Sequence, residues 1–248
     1  MGYPLKNNLS INLKDLSNHT SGLDRVEKGA IMNTLLNPYQ PYSKNTKEWL
    51  IKYLKEDIEI DKDKKGKSNY SNLRMGILGY GIEQYTRQEY HNLLRQYIFN
   101  KYGMNHSFAE GDTVKYSLFK IYNAEDSIID VWKLNTMKSA GGVYSTTRDM
   151  SKFALAQMDS SNKELLLTQK ETVKIDKNKG VGMGWHILYY PKNTYLFHNG
   201  AIGFDGGYSS SMSIQVQKKK AVVILSSIDI MSINSNLDKL NMSLLENF

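Results

Sequence analysis

The sequence predicts an α+β fold, with helices first, an antiparallel meander of strands next and a final helix. Two observations lead to this fold class. Apolar residues recur at helical spacing in several segments before residue 172, for example at Leu73, Ile77 and Ile82. After Gly180 the pattern changes to short runs of strand-forming residues, separated by connections of hairpin length. We therefore expect an antiparallel sheet flanked by helices, together with a helical region.

The helices can be assigned in order from their starts and their apolar spacing. Asn12, with an acidic residue three positions on, is typical of a helix start, and apolar residues recur at helical spacing over 49–54. Residues 27–43 have no clear period and contain two prolines, so we predict mostly loop there. Further helices are predicted at 72–85, at 87–100, from Thr146 or Thr147 onward, at 163–172 and at 231–246.

Strands are predicted in the last third of the chain, at 182–190, 194–200, 207–217 and 221–227. The first two are joined by Pro191, Lys192 and Asn193, and the last two by three lysines, both of which are hairpin lengths. The change from helical to strand patterns therefore divides the chain into two regions. Residues 12–145 form a mainly helical region, and residues 146–248 contain helices, the meander and the last helix.

The bulk composition narrows the class of protein. The chain has 248 residues, of which 40% are hydrophobic and 23% are charged, as in ordinary soluble globular proteins. The net charge of +7 comes mostly from lysines that are scattered or lie at expected turns, so we predict a solvated surface and no nucleic-acid partner. The chain has no cysteine, and no acidic residue accompanies His186 and His198 at metal-ligand spacing. We therefore expect no disulfide, no metal and no cofactor.

Neither a membrane span nor a signal peptide is predicted. The longest purely apolar run, Ala221–Leu225, is far shorter than the roughly 20 residues that cross a bilayer. The first ten residues lack a charged segment followed by an apolar one. If Met1 is the true start, we expect the chain to remain in the cytoplasm.

Four motifs in a fixed order carry a family resemblance. They are LKDLSNHTSGLD at 13–24, YSNLRMGILGYGIE at 70–83, SAGGVYSTTRDMSKFALAQM at 139–158 and FHNGAIGFDGGYSSSMSIQVQKKKAVVILSS at 197–227. Together they resemble the serine β-lactamase and penicillin-binding-protein superfamily, nearest the class C β-lactamase, D-aminopeptidase and esterase branch. The resemblance implies a β-lactamase/transpeptidase-like fold. It also implies an acyl-serine hydrolase acting on a β-lactam, a D-amino peptide or an ester, in a family whose members are usually exported.

The resemblance assigns two catalytic residues at the second motif. Tyr70 would transfer protons, with its pKa lowered by a nearby Lys ammonium, and Asn72 would orient that lysine and the substrate amide. We expect the Tyr70 phenol to face the strand that carries His198 across a common hollow.

The fourth motif supplies the substrate-binding residues His198, Asn199, Gly200 and Ala201. By the resemblance, the backbone N–H of Ala201 would be one of two oxyanion donors, and Gly200 would let a substrate approach the strand closely. His198 would bind an acidic or polar end of the substrate.

The nucleophile is left unassigned. The family's Ser-x-x-Lys motif precedes all four motifs, so the resemblance implies that the first strands of the sheet and the nucleophile helix are lacking here. Ser117–Lys120 and Ser160–Lys163 fit the string, but both follow Tyr70, which is the wrong order, and about two such strings are expected by chance.

Two functions remain open. The first is a serine hydrolase domain that is inactive or weakly active as a truncated chain. The second is a non-catalytic remnant that binds a peptide or protein partner through the vacant cleft or a free sheet edge, or that self-associates through that edge. A partner strand would then protect the amides of residues 182–190 from exchange.

Overall fold

Helices make up most of the regular structure in the first two thirds of the chain. The structure is a computed structural model, and it describes residues 5–26, 30–113, 116–228 and 230–247. Within them, the α-helices are α1 (Leu13–Ser17), α2 (Ala30–Leu36), α3 (Lys47–Lys52), α4 (Asn72–Thr86), α5 (Tyr90–Leu94), α6 (Lys138–Gly141), α7 (Thr147–Gln157), α8 (Lys163–Gln169) and α9 (Ile230–Asn247). Short π-helical turns, Tyr53–Asp57 and Arg95–Phe99, continue α3 and α5.

The strands of the described residues form one large sheet and two small pairs. They are β1 (Phe108–Ala109), β2 (Ile121–Tyr122), β3 (Ile128–Ile129), β4 (Val143–Tyr144), β5 (Val173–Lys174), β6 (Lys179–Val181), β7 (His186–Tyr190), β8 (Asn193–Gly203), β9 (Gly207–Gln215) and β10 (Lys220–Ser226). The large sheet is antiparallel throughout, in the order β10-β9-β8-β7-β6-β5. Pairs β1–β4 and β2–β3 are separate. The α+β fold class predicted from the sequence is confirmed.

The chain divides into two units that are discontinuous in sequence. Unit one contains Met1–Gln96, Phe108–Thr113 and Trp132–Tyr144, and unit two contains Tyr97–Ser107, Val114–Val131 and Ser145–Phe248. One boundary near residue 145 was predicted. The structure changes unit there and also at four earlier points between residues 96 and 132.

Unit one is organised around α4. Its residues Leu73 and Tyr80 belong to a buried stripe at helical spacing. Helix α6 passes close to α4, because a Cβ atom on Gly79 would lie 2.2 Å from the Ser139 hydroxyl oxygen. That hydroxyl donates a hydrogen bond to the Met75 carbonyl at 2.7 Å. Glycine at position 79 therefore permits the close crossing of the two helices.

One face of the large sheet in unit two is apolar and packs against α7. The Thr146 hydroxyl caps α7 by accepting from the Asp149 amide at 3.2 Å, as predicted. The buried apolar residues of this cluster are Ala154, Trp185, Ile187, Leu196, Met212 and Ile214. Their burial supplies the main hydrophobic stabilisation of unit two.

The opposite face of the same sheet is polar and packs against α9. Successive residues of a strand point to opposite faces, so the buried Ser209, Ser211 and Ser213 alternate along β9 with the apolar residues that face α7. Asn241 of α9 is fully buried against this face. The alternation on β9 therefore places serines on the face toward α9 and apolar side chains on the face toward α7.

Three sequence expectations differ from the structure. Residues 30–36 form α2 where mostly loop was predicted, because a seven-residue helix that ends just before Pro38 is too short to reveal a period. Helix α8 ends at Gln169, and the following residues contribute two further strands, β5 and β6. Strand β7, taken as the free edge, is paired on both sides, and β10 is the long edge strand.

Candidate functional site

In unit one, Tyr70 and Asn72 lie at the start of α4, on either side of its capping residue. The Ser71 hydroxyl accepts from the Arg74 amide at 3.1 Å and has the Asp24 and Arg25 carbonyls within 2.8 and 3.0 Å. Ser71 is fully buried. The cap therefore fixes both where α4 begins and how residues 24 and 25 pass beside it.

Arg74 fastens the segment around Tyr70. Its side chain is fully buried, and its guanidinium donates to the carbonyls of His19, Leu23 and Asn69. Burial lowers the Arg74 pKa to about 10, and Asp24 opposes that change, so the group stays charged at neutral pH. The first motif of the sequence is thus tied to the second through backbone carbonyls.

The Tyr70 ring contacts the His19 ring, with centroids 4.7 Å apart and planes tilted by 48°. Burial raises the pKa of the Tyr70 phenol, Tyr42 adds to the rise, and the Arg25 guanidinium opposes it. The resemblance implied a lowered pKa, and the structure shows the opposite direction because burial outweighs the cationic neighbour. In this state the phenol is protonated at neutral pH.

Asn72 is held by Tyr42, a residue of the segment predicted to be mostly loop. The Asn72 side-chain amide donates to the Tyr42 hydroxyl at 3.1 Å. The Asn135 amide donates to the Tyr42 carbonyl at 2.8 Å, and the Trp132 ring meets the Tyr42 ring edge-on at 6.0 Å. Tyr42 therefore joins α4 to residues 132–135 within unit one.

In unit two, His198 lies in the middle of β8 and stacks on His186 of β7. The ring centroids are 6.0 Å apart and the planes differ by 20°. Burial lowers the His186 pKa to about 4, with smaller contributions from Lys179 and His198. Burial also lowers the His198 pKa, and a hydrogen bond with the Asn199 backbone opposes it. Both imidazoles are therefore neutral at neutral pH, and His198 is suited to a polar group rather than to an ion pair.

His198 lines a cavity of about 420 Å³ on the α7 face of the sheet. The other walls are mostly apolar and include Met150, Phe153, Trp185, Met212, Val223 and Leu225. Polar groups enter from Gln157 and Ser210. An apolar hollow with a few polar groups is the usual form of a small-molecule site.

The other three residues of the fourth motif occupy different positions on β8. The Asn199 amide donates to Asp238 at 2.6 Å on the α9 face, away from His198. Gly200 pairs with Ser210, and a Cβ atom at Gly200 would lie 3.3 Å from the Ser210 hydroxyl oxygen. Ala201 is exposed and pairs with Ser209. Asn199 thus braces the strand, whereas His198 faces the cavity.

Neither Ser-x-x-Lys string has the geometry of a nucleophile. Ser117 and Lys120 lie in an exposed segment without regular structure. Ser160 lies in an exposed turn before α8, and Lys163 is the first residue of that helix. A buried helix is needed to aim serine and lysine into one pocket, and neither string is on one.

Neither a membrane-spanning helix nor a metal-binding cluster is found in the described part of the chain. No helix there is both long and apolar enough to cross a membrane. No group of three or more His, Asp or Glu residues there is arranged to hold a metal ion.

Comparison with known proteins decides the family. The sequence model of the family described as Beta-lactamase matches residues 4–235. The chain belongs to the beta-lactamase family. The resemblance drawn from the four motifs is confirmed at this level.

This beta-lactamase-family chain is similar in sequence to a penicillin-binding protein and in fold to solved beta-lactamases. A Bacillus subtilis (strain 168) protein whose name, PbpX, assigns it to the penicillin-binding proteins is 26% identical over 208 residues, which is 80% of this chain. The chain spans 47% of that protein, or about half its length. A class C beta-lactamase solved with cefoxitin has a TM-score of 0.73 at 18% identity, covering 96% of this chain and 72% of that one.

An octameric penicillin-binding protein homologue from Pyrococcus abyssi has a similar fold. Its TM-score is 0.70 at 19% identity, covering 91% of this chain and 54% of that one. At these identities the solved structures establish the fold, which is β-lactamase/transpeptidase-like as predicted.

Two residues of this beta-lactamase-family chain, one in each unit, support candidate site residues and were missed from the sequence. Arg74 stands beside Leu73 within the apolar stripe of α4, and a charged residue on a buried stripe could have indicated a structural anchor. Asp238 lies on α9, far along the chain from β8, and no local pattern indicates its bond to Asn199.

Proposed function

We propose that this chain recognises the acyl compounds that its family hydrolyses, and that it hydrolyses them slowly or not at all. The observation that carries the proposal is the position of His198, which lies on a strand of the family motif and opens on a mostly apolar cavity. The cefoxitin complex of a class C beta-lactamase of similar fold supports a β-lactam as the first ligand to test.

In this proposal the residues have separate roles. The neutral His198 imidazole hydrogen-bonds a polar group of the ligand, and the Ala201 N–H acts as an oxyanion donor. Gly200 lets the ligand approach β8, and Asn72 orients the acyl amide. Tyr70, protonated here, delivers a proton to the leaving group.

Slow turnover is proposed because neither Ser-x-x-Lys string of the described chain lies on a buried helix. A site without a positioned nucleophile retains only the catalysis that comes from binding and oxyanion donors.

The test combines binding with turnover. Cefoxitin binding is measured by calorimetry, and hydrolysis of a chromogenic cephalosporin and a p-nitrophenyl ester is followed optically. We expect measurable cefoxitin binding that falls about tenfold in His198→Ala, which corresponds to the loss of one good hydrogen bond. Residual turnover should disappear in Tyr70→Phe but not in Tyr85→Phe, because Tyr85 is 88% exposed near the end of α4, the helix that follows Tyr70. Fast hydrolysis that survives Tyr70→Phe would contradict the proposal.

A second function is favoured by the edge of the sheet. Strand β10 pairs with β9, and within the described sheet it has no neighbour on its other side. It is seven residues long, and Ala221–Ser226 contains no proline and no charge, the features that usually protect an edge. We propose that a strand of a partner, or of a second copy of the chain, adds to β10. An octameric relative of similar fold makes self-association a reasonable expectation.

Light scattering at increasing protein concentration and hydrogen exchange test this second function. We expect a mass above that of the monomer, together with protection of the β10 amides. In Leu225→Lys the added charge, on a side chain that is 37% exposed, should shift the mass back toward the monomer. Loss of the large species without any change at β10 would reject the edge as the interface.

A further inference from the structure

A second cavity lies wholly within unit one, and neither Tyr70 nor Asn72 lines it. Its volume is about 490 Å³, within the range of small-molecule sites. It is formed by the end of α4, the turn that leads into α5, Glu110 and Gly111, and residues 135–139. In contrast to the cavity at His198, its walls are rich in charged, amide and hydroxyl side chains.

The carboxylates in this cavity are already engaged. Lys138 lies 2.8 Å from Glu83 and 3.5 Å from Glu89. Glu83 also accepts from the Tyr90 amide at 2.8 Å. The two oxygens of Glu110 accept from the backbone amides of residues 134 and 135, at 2.8 and 2.7 Å. Glu110 therefore has both oxygens engaged, and Glu83 and Glu89 are each paired with Lys138 through one oxygen.

The donors in this cavity are mostly unused. Among the described residues, Arg87, Gln84 and Gln88 line the cavity, and their side chains make no hydrogen bond or ion pair. Lys47 adds a further positive charge to the wall beside Glu48. The side chains left for a ligand thus include two cations, Arg87 and Lys47, which favour an anion with acceptor oxygens, and two amides that can donate to it.

A buried hydroxyl gives independent support for a ligand. Tyr80 lines the cavity, is only 3% exposed, and its hydroxyl has no partner within the described chain. A buried hydroxyl without a partner is destabilising, so its retention calls for an explanation. A ligand oxygen would satisfy it. Tyr90 adds a second phenol, because burial and then Glu83 raise its pKa to about 12 and keep it protonated.

The backbone conformation at Arg87 also supports a ligand site. Arg87 ends α4 in the left-handed conformation, with φ of 57°, where glycine is the usual residue. The chain accepts that unfavourable conformation and gains a guanidinium at the cavity.

We propose that this cavity binds a small polar molecule that carries a phosphate or a carboxylate. The oxyanion pairs with the Arg87 fork, and Gln84, Gln88 and Tyr80 hydrogen-bond the polar body. The volume is larger than a single phosphate needs, so an organic anion fits better than an inorganic one.

Calorimetric titration with glucose 6-phosphate, glucuronate and glucose tests the proposal. We expect at least one of the two anions to bind about tenfold or more tightly than neutral glucose. Binding of the phosphate or of the carboxylate then identifies which oxyanion the site prefers. The proposal is overturned if glucose binds as tightly as the anions, or if neither anion binds at concentrations up to about 10 mM.

Variants separate this cavity from general attraction to a basic protein. Arg87→Gln should weaken anion binding about tenfold, whereas Arg148→Gln, the same change at an exposed arginine of unit two, should not. Tyr80→Phe should weaken binding while leaving the free protein equally or more stable to urea, because it removes an unsatisfied hydroxyl. Anion binding that is unchanged in both Arg87→Gln and Tyr80→Phe would refute the assignment.

Discussion

The two faces of the large sheet in unit two are built from the same strands by different means. The face toward α7 is apolar, with Leu196, Met212 and Ile214 in its core. The face toward α9 is polar: Ser211 donates to Asp238 at 2.7 Å, and other serines of β9 bond nearby groups. The polar face is held by directional hydrogen bonds, whereas the apolar face is held by the burial of apolar surface.

The difference shows that one kind of interaction stabilises a strand and another fixes its position. Apolar burial stabilises the sheet but tolerates small shifts of one strand against another. Hydrogen bonds fix positions, because Asp238 holds Asn199 of β8 and Ser211 of β9 at the same time. The residue beside Asn199 is His198, so the polar face sets the position of the side chain that opens on the cavity.

The largest effect is expected on the apolar face. Ile214 is fully buried, and Ile214→Ala should lower the free energy of unfolding by about 3–4 kcal/mol through lost burial and a new cavity. Leu155→Ala on α7 is the matched control, because that side chain is 66% exposed and should change stability by less than about 0.5 kcal/mol. Urea denaturation followed by circular dichroism measures both. Equal losses would mean that the apolar face is not the main core.

The next largest effect is expected on the polar face. Asn241 donates to the Ser211 and Val222 carbonyls at 2.9 and 3.2 Å and accepts from Ser213. Asn241→Ala should cost about 2–3 kcal/mol, because it leaves buried groups without partners. A double-mutant cycle with Ser213→Ala should give a coupling energy of about 0.5–1 kcal/mol or more. Strict additivity in urea unfolding would show that the two side chains act independently.

A pH effect of intermediate size should come from the histidine pair. The folded His186 pKa of about 4 lies below the ordinary 6.5, so the unfolded chain binds the proton first as the pH falls. The contribution to stability is complete above pH 6.5 and is lost as the pH falls from 6.5 toward 4. Allowing for the partial exposure of the ring, the loss is on the order of 2 kcal/mol. His186→Phe should flatten this part of the pH curve, and parallel curves for the two proteins would count against it.

The smallest effect is expected at Gly200. A methyl group there would lie 3.3 Å from the Ser210 hydroxyl oxygen, which can rotate away, so Gly200→Ala should change stability by less than about 1 kcal/mol. If β8 is a ligand-binding strand, the same change should weaken cefoxitin binding severalfold. A large loss of stability would show that Gly200 serves packing rather than ligand approach.

Much of the fold could be predicted because its patterns are local. Helix α4 and strands β7 to β10 combine clear periodicity with hairpin connections, so their place in the sequence was correct within a few residues. Helix α2 and strands β5 and β6 were missed, because segments of two to seven residues are stabilised by distant partners rather than by their own pattern.

The motifs that carry the candidate site residues could be predicted, but the contacts that hold those residues in place could not. Ser71 and Thr146 follow ordinary capping rules and could be read from the sequence. The direction of the Tyr70 pKa could not, because burial and Tyr42 act through space. The bonds of Arg74 to His19 and Leu23 join residues more than fifty positions apart, beyond the range of any local rule.

Because the segments of the two units alternate along the chain, they affect when unit one can fold during protein synthesis. Strand β1 pairs Phe108 with Tyr144 inside unit one, whereas residues 114–131 belong to unit two. On the ribosome, unit one therefore cannot close until Tyr144 has left the exit tunnel, by which time part of its neighbour has already emerged. Nascent-chain arrest before and after that residue should reveal when protease resistance of the first unit begins.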